Sequence, residues 1–187
     1  PGTAKTSVEG LGKGGRARID GRLTRGPLAW KTRTFERDGE QRFAMTIPWG
    51  DVYTAFVSTG IPNIEVYMGV PPATAGRLRR LRLLGPLLGL SPVQALLKAQ
   101  VAKRVRGPSE STRGKTGCVV WGEARDAEGR EIKRRLSTPN GYEITVTAAL
   151  GIVERLLGGE RPAGGYYTPS KLMGANYVLG LPGVTLD

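Results

Sequence analysis

The sequence predicts an α+β protein, a mostly antiparallel or mixed β-sheet of hairpins with helices packed on one face. Three observations carry that prediction. Short alternating segments come in pairs joined by Gly-containing turns, the local mark of β-hairpins. Two longer stretches show apolar residues at helical spacing, 141–158 and 73–106. Strands and helices are not interleaved one for one, as a parallel α/β sheet would require.

The first hairpin is AWKTRTF (29–35) and RFAMTIP (42–48) around Glu36-Arg37-Asp38-Gly39-Glu40, with Asp-Gly at its centre. The second is read as DVYTAFV (51–57), the turn STGIPN (58–63) and IEVYM (64–68), its arms rich in β-branched and aromatic residues. The third spans 117–138, GCVVWGEARD and REIKRRLST about Ala-Glu-Gly. Successive hairpins imply one sheet of roughly five or more strands.

Within GYEITVTAALGIVERLLG the residues Ile144, Ala148, Ile152, Val153, Leu156 and Leu157 fall on one helical stripe ending at Gly158-Gly159. The 73–106 stretch is broken at Gly85-Pro86 and Ser91-Pro92, the latter an N-cap and first helical residue. Thr168-Pro169 opens a short helix in the same way, and ANYVLGLPGVTL reads as a closing strand. Near the start, Thr6-Ser7-Val8-Glu9 ends a short helix at GLGKGG. That run imitates the G-x-G-x-x-G dinucleotide fingerprint. The fingerprint must follow a buried strand and open a helix, whereas here it follows a polar helix and reads as a flexible terminus. The whole of 1–187 is expected to form one domain.

Composition narrows the chemistry. The 187 residues contain no histidine and one cysteine, Cys118. A Ser-His-Asp triad and a zinc site are thereby set aside, and acid–base work falls to Asp, Glu, Lys or Tyr. Cys118, beside Val119 and Val120, reads as a small buried hydrophobe. A single thiol without a disulfide partner fits a reducing, cytoplasmic setting. The formal charge of +12 favours phosphate-bearing partners or marks no more than a basic surface. Nucleic acid is the weakest of these partners, since aromatics are 6% of the chain and no recognition motif accompanies the charge.

Three strings, WGDVYTAFVSTGIPNIEVYM, VVWGEARDAEGREIKRRLSTPNGY and GGYYTPSKLMGANYVLGLPGVTL, together resemble the saccharopine dehydrogenase-like oxidoreductases, including the trans-acting enoyl reductases. The resemblance covers most of the chain and matches the part that follows the family's nucleotide-binding domain. It implies a C-terminal piece of a longer protein, consistent with the start at Pro1, whose region from about 19 to 158 binds substrate or forms a homodimer. Residues 168–187 would return to pack on the chain's own N-terminal nucleotide-binding domain. NAD or NADP would be held mainly by that domain, so no cofactor or metal is expected on this chain alone, and the piece alone would be inactive. A small-molecule or lipid-like substrate is implied. The substrate-binding candidates are Tyr53, Ser58, Thr59, Asn63 and Tyr67, with Thr59 and Asn63 as hydrogen-bonding groups and Tyr53 or Tyr67 as proton donor; no catalytic residue is assigned.

The residues themselves leave alternatives open. Gly60 and Pro62 set turn geometry, and Asn63 commonly caps local backbone, so STGIPN also reads as a plain turn. Asp51 and Glu65 form either a carboxylate pair or two solvated strand positions. Glu123 and Arg125 are expected in cross-strand pairs with Lys133 or Arg135. Thr168-Pro169-Ser170-Lys171 is an anion-binding helix start or a simple cap. The segment 77–106 combines Arg77, Arg79, Arg80, Arg82, Lys98, Lys103, Arg104 and Arg106 with a leucine-rich middle. It is too short and interrupted to span a bilayer. It packs on the core or on a second copy, or it meets an anionic membrane surface as a non-enzymatic module.

Overall fold

A computed structural model describes residues 2–37, 39–104 and 116–187. The fold is α+β, and the single domain expected over 1–187 divides into two compact units, Pro1–Gly107 and Pro108–Asp187. The anticipated single sheet is instead three small antiparallel sheets of two, three and three strands.

Unit 1 begins with helix α1 (Gly2–Leu11), then hairpin β1 (Gly15–Ile19) and β2 (Arg22–Gly26). Ile19 pairs with Arg22, so Asp20 and Gly21 alone make the loop, both at positive φ (48° and 76°). This is the two-residue geometry that Asp-Gly favours, because its twist matches that of the flanking strands. The second sheet joins β3 (Thr32–Arg37), β4 (Glu40–Thr46) and β5 (Tyr67–Gly69) in the order β3-β4-β5. Its hairpin is the first one expected, and Gly39 sits at φ 75°; Asp38 lies outside the described residues.

Residues 51–57 are not a strand. They form helix α2 (Asp51–Thr59), and STGIPN is therefore no hairpin tip. Gly60, at φ 73°, ends the helix in the left-handed conformation with its N–H donating to the Phe56 carbonyl. The Thr54, Ser58 and Thr59 hydroxyls donate to the carbonyls four residues back, which satisfies them within the helix. Val52 is buried and Phe56 lies one turn later on the same face, under the Arg18 guanidinium. Seven residues that alternate also fit helical spacing here, and tertiary contact decides between the two.

Helix α3 (Pro72–Leu81), a 3-10 turn at Arg82–Leu84, α4 (Gly85–Leu88) and α5 (Ser91–Arg104) complete unit 1 with the breaks where Pro and Gly place them; Arg106 lies outside the described residues. The core is Ala29, Met45, Ile47 and Ala75, with Phe43, Val66, Val70 and Leu78 packed against it.

Unit 2 contains β6 (Cys118–Arg125), β7 (Glu131–Thr138), α6 (Gly141–Leu157), α7 (Pro169–Met173), a 3-10 turn at Tyr177–Gly180 and β8 (Thr185–Leu186). The expected closing strand shrinks to those last two residues, paired with Leu136 and Ser137. Cys118 is exposed, not buried, because it shares the uncovered face of the sheet with Val120. Asn140 caps α6 by accepting from the Tyr142 N–H at 3.1 Å. Of the stripe expected on this helix, Ile144, Ala148 and Ile152 are partly buried, whereas Val153 and Leu157 belong to the exposed side.

The glycines of GLGKGG have steric work. A Cβ on Gly12 would lie 2.5 Å from the Gly89 Cα, which lets α1 sit directly against the α4–α5 junction. A Cβ on Gly26 would fall 2.0 Å from the Trp30 ring. Gly12→Ala is therefore expected to destabilise unit 1 by about 1–3 kcal/mol. Gly10→Ala, with nothing within 4 Å, is expected to be neutral or slightly stabilising. Thermal melts of both variants read the contrast.

Candidate functional site

The segment 58–64 is strapped to the β1–β2 hairpin. Arg18 and Ile64 exchange both backbone hydrogen bonds, at 2.9 and 3.0 Å, and the Gly21 N–H donates to the Pro62 carbonyl at 2.8 Å. The Asn63 carboxamide oxygen accepts from the Asp20 N–H at 2.9 Å, so it caps a turn 43 residues away rather than its own backbone. Thr59 donates to Ala55 and accepts from the Ile61 N–H, and Ser58 donates to Thr54. Three of the five predicted residues thus hold the end of α2 and the strap that follows it.

Tyr53 stands exposed on α2, its ring 5.9 Å from the Arg18 guanidinium carbon. Arg18 itself is buried. It lies 4.0 Å from the Phe56 ring centre, its Nε donates to the Val52 carbonyl at 2.9 Å and one terminal nitrogen donates to the Gly21 carbonyl at 2.6 Å. Its importance escaped the sequence reading, since an arginine in a short polar strand usually faces water.

Tyr67 belongs to another neighbourhood. Its hydroxyl donates to the Glu65 carboxylate at 2.5 Å, and the other carboxylate oxygen pairs with the Lys31 ammonium. Burial pushes the Glu65 carboxyl upward, but the hydrogen bonds from Lys31 and Tyr67 and the charges of Lys31 and Arg33 outweigh it and leave it below its usual range. Burial, followed by the bond to Glu65 and its charge, holds the Tyr67 phenol well above its usual range. A phenol so held donates a hydrogen bond readily and a proton poorly. Glu65 is thus engaged with Lys31 and Tyr67, while Asp51 opens the first turn of α2.

In unit 2, Glu123 pairs with Lys133 at 3.9 Å as expected, and Arg125 pairs with Glu131 at 2.5 Å. Thr168 is buried and its hydroxyl accepts from the Lys171 N–H, the capping alternative of the two considered. Beside it a cavity of about 350 Å³ is lined by Arg155, Glu160, Arg161, Tyr167 and Lys171 among others. Arg155 is neutralised there by Glu160, and the Tyr167 hydroxyl donates to the Ala163 carbonyl.

Unit 1 holds a larger cavity of about 560 Å³ between GLGKGG, the end of β2 and α4. The glycine loop does not fit a dinucleotide. Gly12 abuts Gly89, Gly14 and Gly15 abut the carbonyls of Gly26 and Pro27, and a helix rather than a strand precedes them. Among the described residues no group of three His, Cys, Asp or Glu side chains could hold a metal. No helix among them is long and apolar enough to cross a membrane.

No protein-family model and no curated protein matches the chain.

Two measurements check these assignments. Asn63→Ala is expected to cost about 1 kcal/mol, the usual worth of one hydrogen bond. Because the folded Glu65 carboxyl titrates below its unfolded value, its contribution to stability is present at neutral pH and fades as pH falls through the acidic range. The difference in melting temperature between wild type and Glu65→Gln should therefore be largest near pH 7 and shrink by pH 3.5.

Proposed function

We propose that this chain is the substrate-binding and dimerisation domain of a NAD(P)-dependent oxidoreductase of the saccharopine dehydrogenase-like type, inactive alone. The ordered likeness of its three strings supports the family. The observation that carries the domain's role is the outer face of α6, where Tyr142, Val146, Leu150, Val153 and Leu157 recur at helical spacing and stand exposed, Leu157 at 82%. The inner face of the same helix is already occupied, with the Tyr177 hydroxyl donating to the Ala148 carbonyl at 2.8 Å and crowding Gly151. An apolar stripe on a 17-residue helix with its back already packed is stabilised by a second body.

In this reading the nicotinamide cofactor is bound by a separate domain and supplies the hydride. This chain supplies walls and hydrogen bonds. Tyr53 on α2 presents ring surface and a hydroxyl and Tyr67 on β5 its ring, while Ser58, Thr59 and Asn63 fix the strap that shapes the surface beside Tyr53.

Nicotinamide-nucleotide fluorescence titration of the chain alone should show no binding, and the native longer gene product should bind. Binding by the chain alone would overturn the reading, as would a native reading frame with no nucleotide-binding segment. In solution the chain should sediment as a dimer that Val146→Glu with Leu150→Glu converts to a monomer; a monomer at every concentration refutes the dimer.

A further inference from the structure

The α3–α4 region presents a surface that the oxidoreductase reading does not use. Leu78, Leu81 and Leu88 turn inward, and the Leu88 carbonyl is held by the Gln94 carboxamide at 2.6 Å. Leu83, Leu84, Leu87 and Leu90 face outward, four exposed leucines within eight residues, with Leu83 at 89%. Leaving one such side chain in water forgoes roughly 1.5–3 kcal/mol of burial. The arginines around them are divided. Arg79 and Arg82 donate to the carbonyls of Leu28 and Ala29, which fixes the end of α3 against the protein. Arg77 and Arg80 project from the exposed side of α3 and form no ion pair with a described residue.

The 560 Å³ cavity opens beside these leucines and shares Arg82, Pro86 and Leu90 with them. Its charged lining is Lys13, Arg25 and Arg82, without a carboxylate, and none of the three makes an ion pair with a described residue. Leu11, Leu28 and Leu90 line it together with glycines and the prolines Pro27 and Pro86. A cationic notch with apolar walls next to a protruding apolar wedge matches one ligand chemistry, a phosphate attached to acyl chains.

We propose that this surface docks on an anionic phospholipid bilayer, with Leu83, Leu84, Leu87 and Leu90 entering the interface and the notch receiving a lipid phosphate. The wedge is one short helix and a turn, suited to the 5–10 Å depth of interfacial anchors, roughly. The charge of +12 draws the chain to such a surface, and arginines at the rim of the wedge meet the headgroups. A soluble acidic protein would satisfy the cations but has no need of a projecting leucine at 89% exposure. The proposal stands apart from the oxidoreductase reading, since it requires neither a nucleotide nor a second copy.

Vesicle co-sedimentation of the full chain tests it, using phosphatidylcholine vesicles with and without phosphatidic acid. Binding is expected with phosphatidic acid and weak or absent without it. Lys13→Glu with Arg25→Glu should weaken binding by about thirtyfold or more. Arg134→Glu with Arg161→Glu makes the same change of net charge in unit 2 and should change it little. Leu83→Asp with Leu87→Asp should abolish sedimentation although every cation remains, and circular dichroism checks that these exposed substitutions leave the fold intact. Equal binding to neutral vesicles overturns the proposal. So does full binding by the leucine variant, or an equal loss from the two charge-reversal pairs, since either result means adsorption by net charge alone.

Discussion

The first half of unit 1 depends on where one guanidinium goes. Arg18 is buried under α2, against the Phe56 ring, with two backbone carbonyls accepting from it. Among the described residues no carboxylate pairs with it. Removing a cation from water costs several kcal/mol, so the groups around it must be fixed before it can be tolerated there. Each fixed group belongs to a different element. Val52 is in α2, Gly21 is the turn of the β1–β2 hairpin, and the Arg18 backbone pairs with Ile64 in the strap. The helical state of 51–59, the hairpin and the course of 60–64 are therefore one decision. STGIPN is part of that decision, which is why its hydroxyls and carboxamide point at backbone.

The core explains the surface. Its buried members, Ala29, Met45, Ile47 and Ala75, are few, and half of them are alanine. Small domains bury a modest share of their apolar area, and the remainder must sit outside. Here part of it is gathered into two patches, one in each unit. The leucines of unit 1 are bordered by arginines, whereas the α6 stripe of unit 2 is bordered by Glu143 and Glu154. A polar rim around an apolar centre is the common anatomy of an interface, and the two rims here carry opposite charge.

The sequence was legible where a local rule and the tertiary contacts agree. The β3–β4 and β6–β7 hairpins, the helix α6, the capped start of α7, and the breaks between α3 and α5 all follow from residues within a few positions of each other. The same Asp-Gly signal occurs at Asp20-Gly21, but Arg16, Arg18, Arg22 and Arg25 fill the arms and conceal the strand pattern. At 51–57, Val52 and Phe56 satisfy strand alternation and helical spacing equally, and the contact that chooses comes from Arg18, 34 residues from Val52. Gly12 meets Gly89 across a distance in sequence that no local motif spans. Its resemblance to a nucleotide loop is a consequence of two backbones touching. At the candidate site, Glu65 and Tyr67 two residues apart were readable as neighbours; Lys31, from the start of another strand, was not.

What chemistry remains follows from how that last group is balanced. Lys31 carries one positive charge, Glu65 one negative, and Tyr67 keeps its proton by donating to the carboxylate. The array is closed on itself. A ligand that took the Tyr67 hydrogen bond would remove one of the two hydrogen bonds described for the Glu65 carboxylate, a loss the ligand's own contacts would have to offset. With the phenol held above its usual range, proton transfer to a substrate at neutral pH is slower still. Tyr67, Glu65 and Lys31 form one hydrogen-bonded array, and the sequence holds no histidine to take over that task.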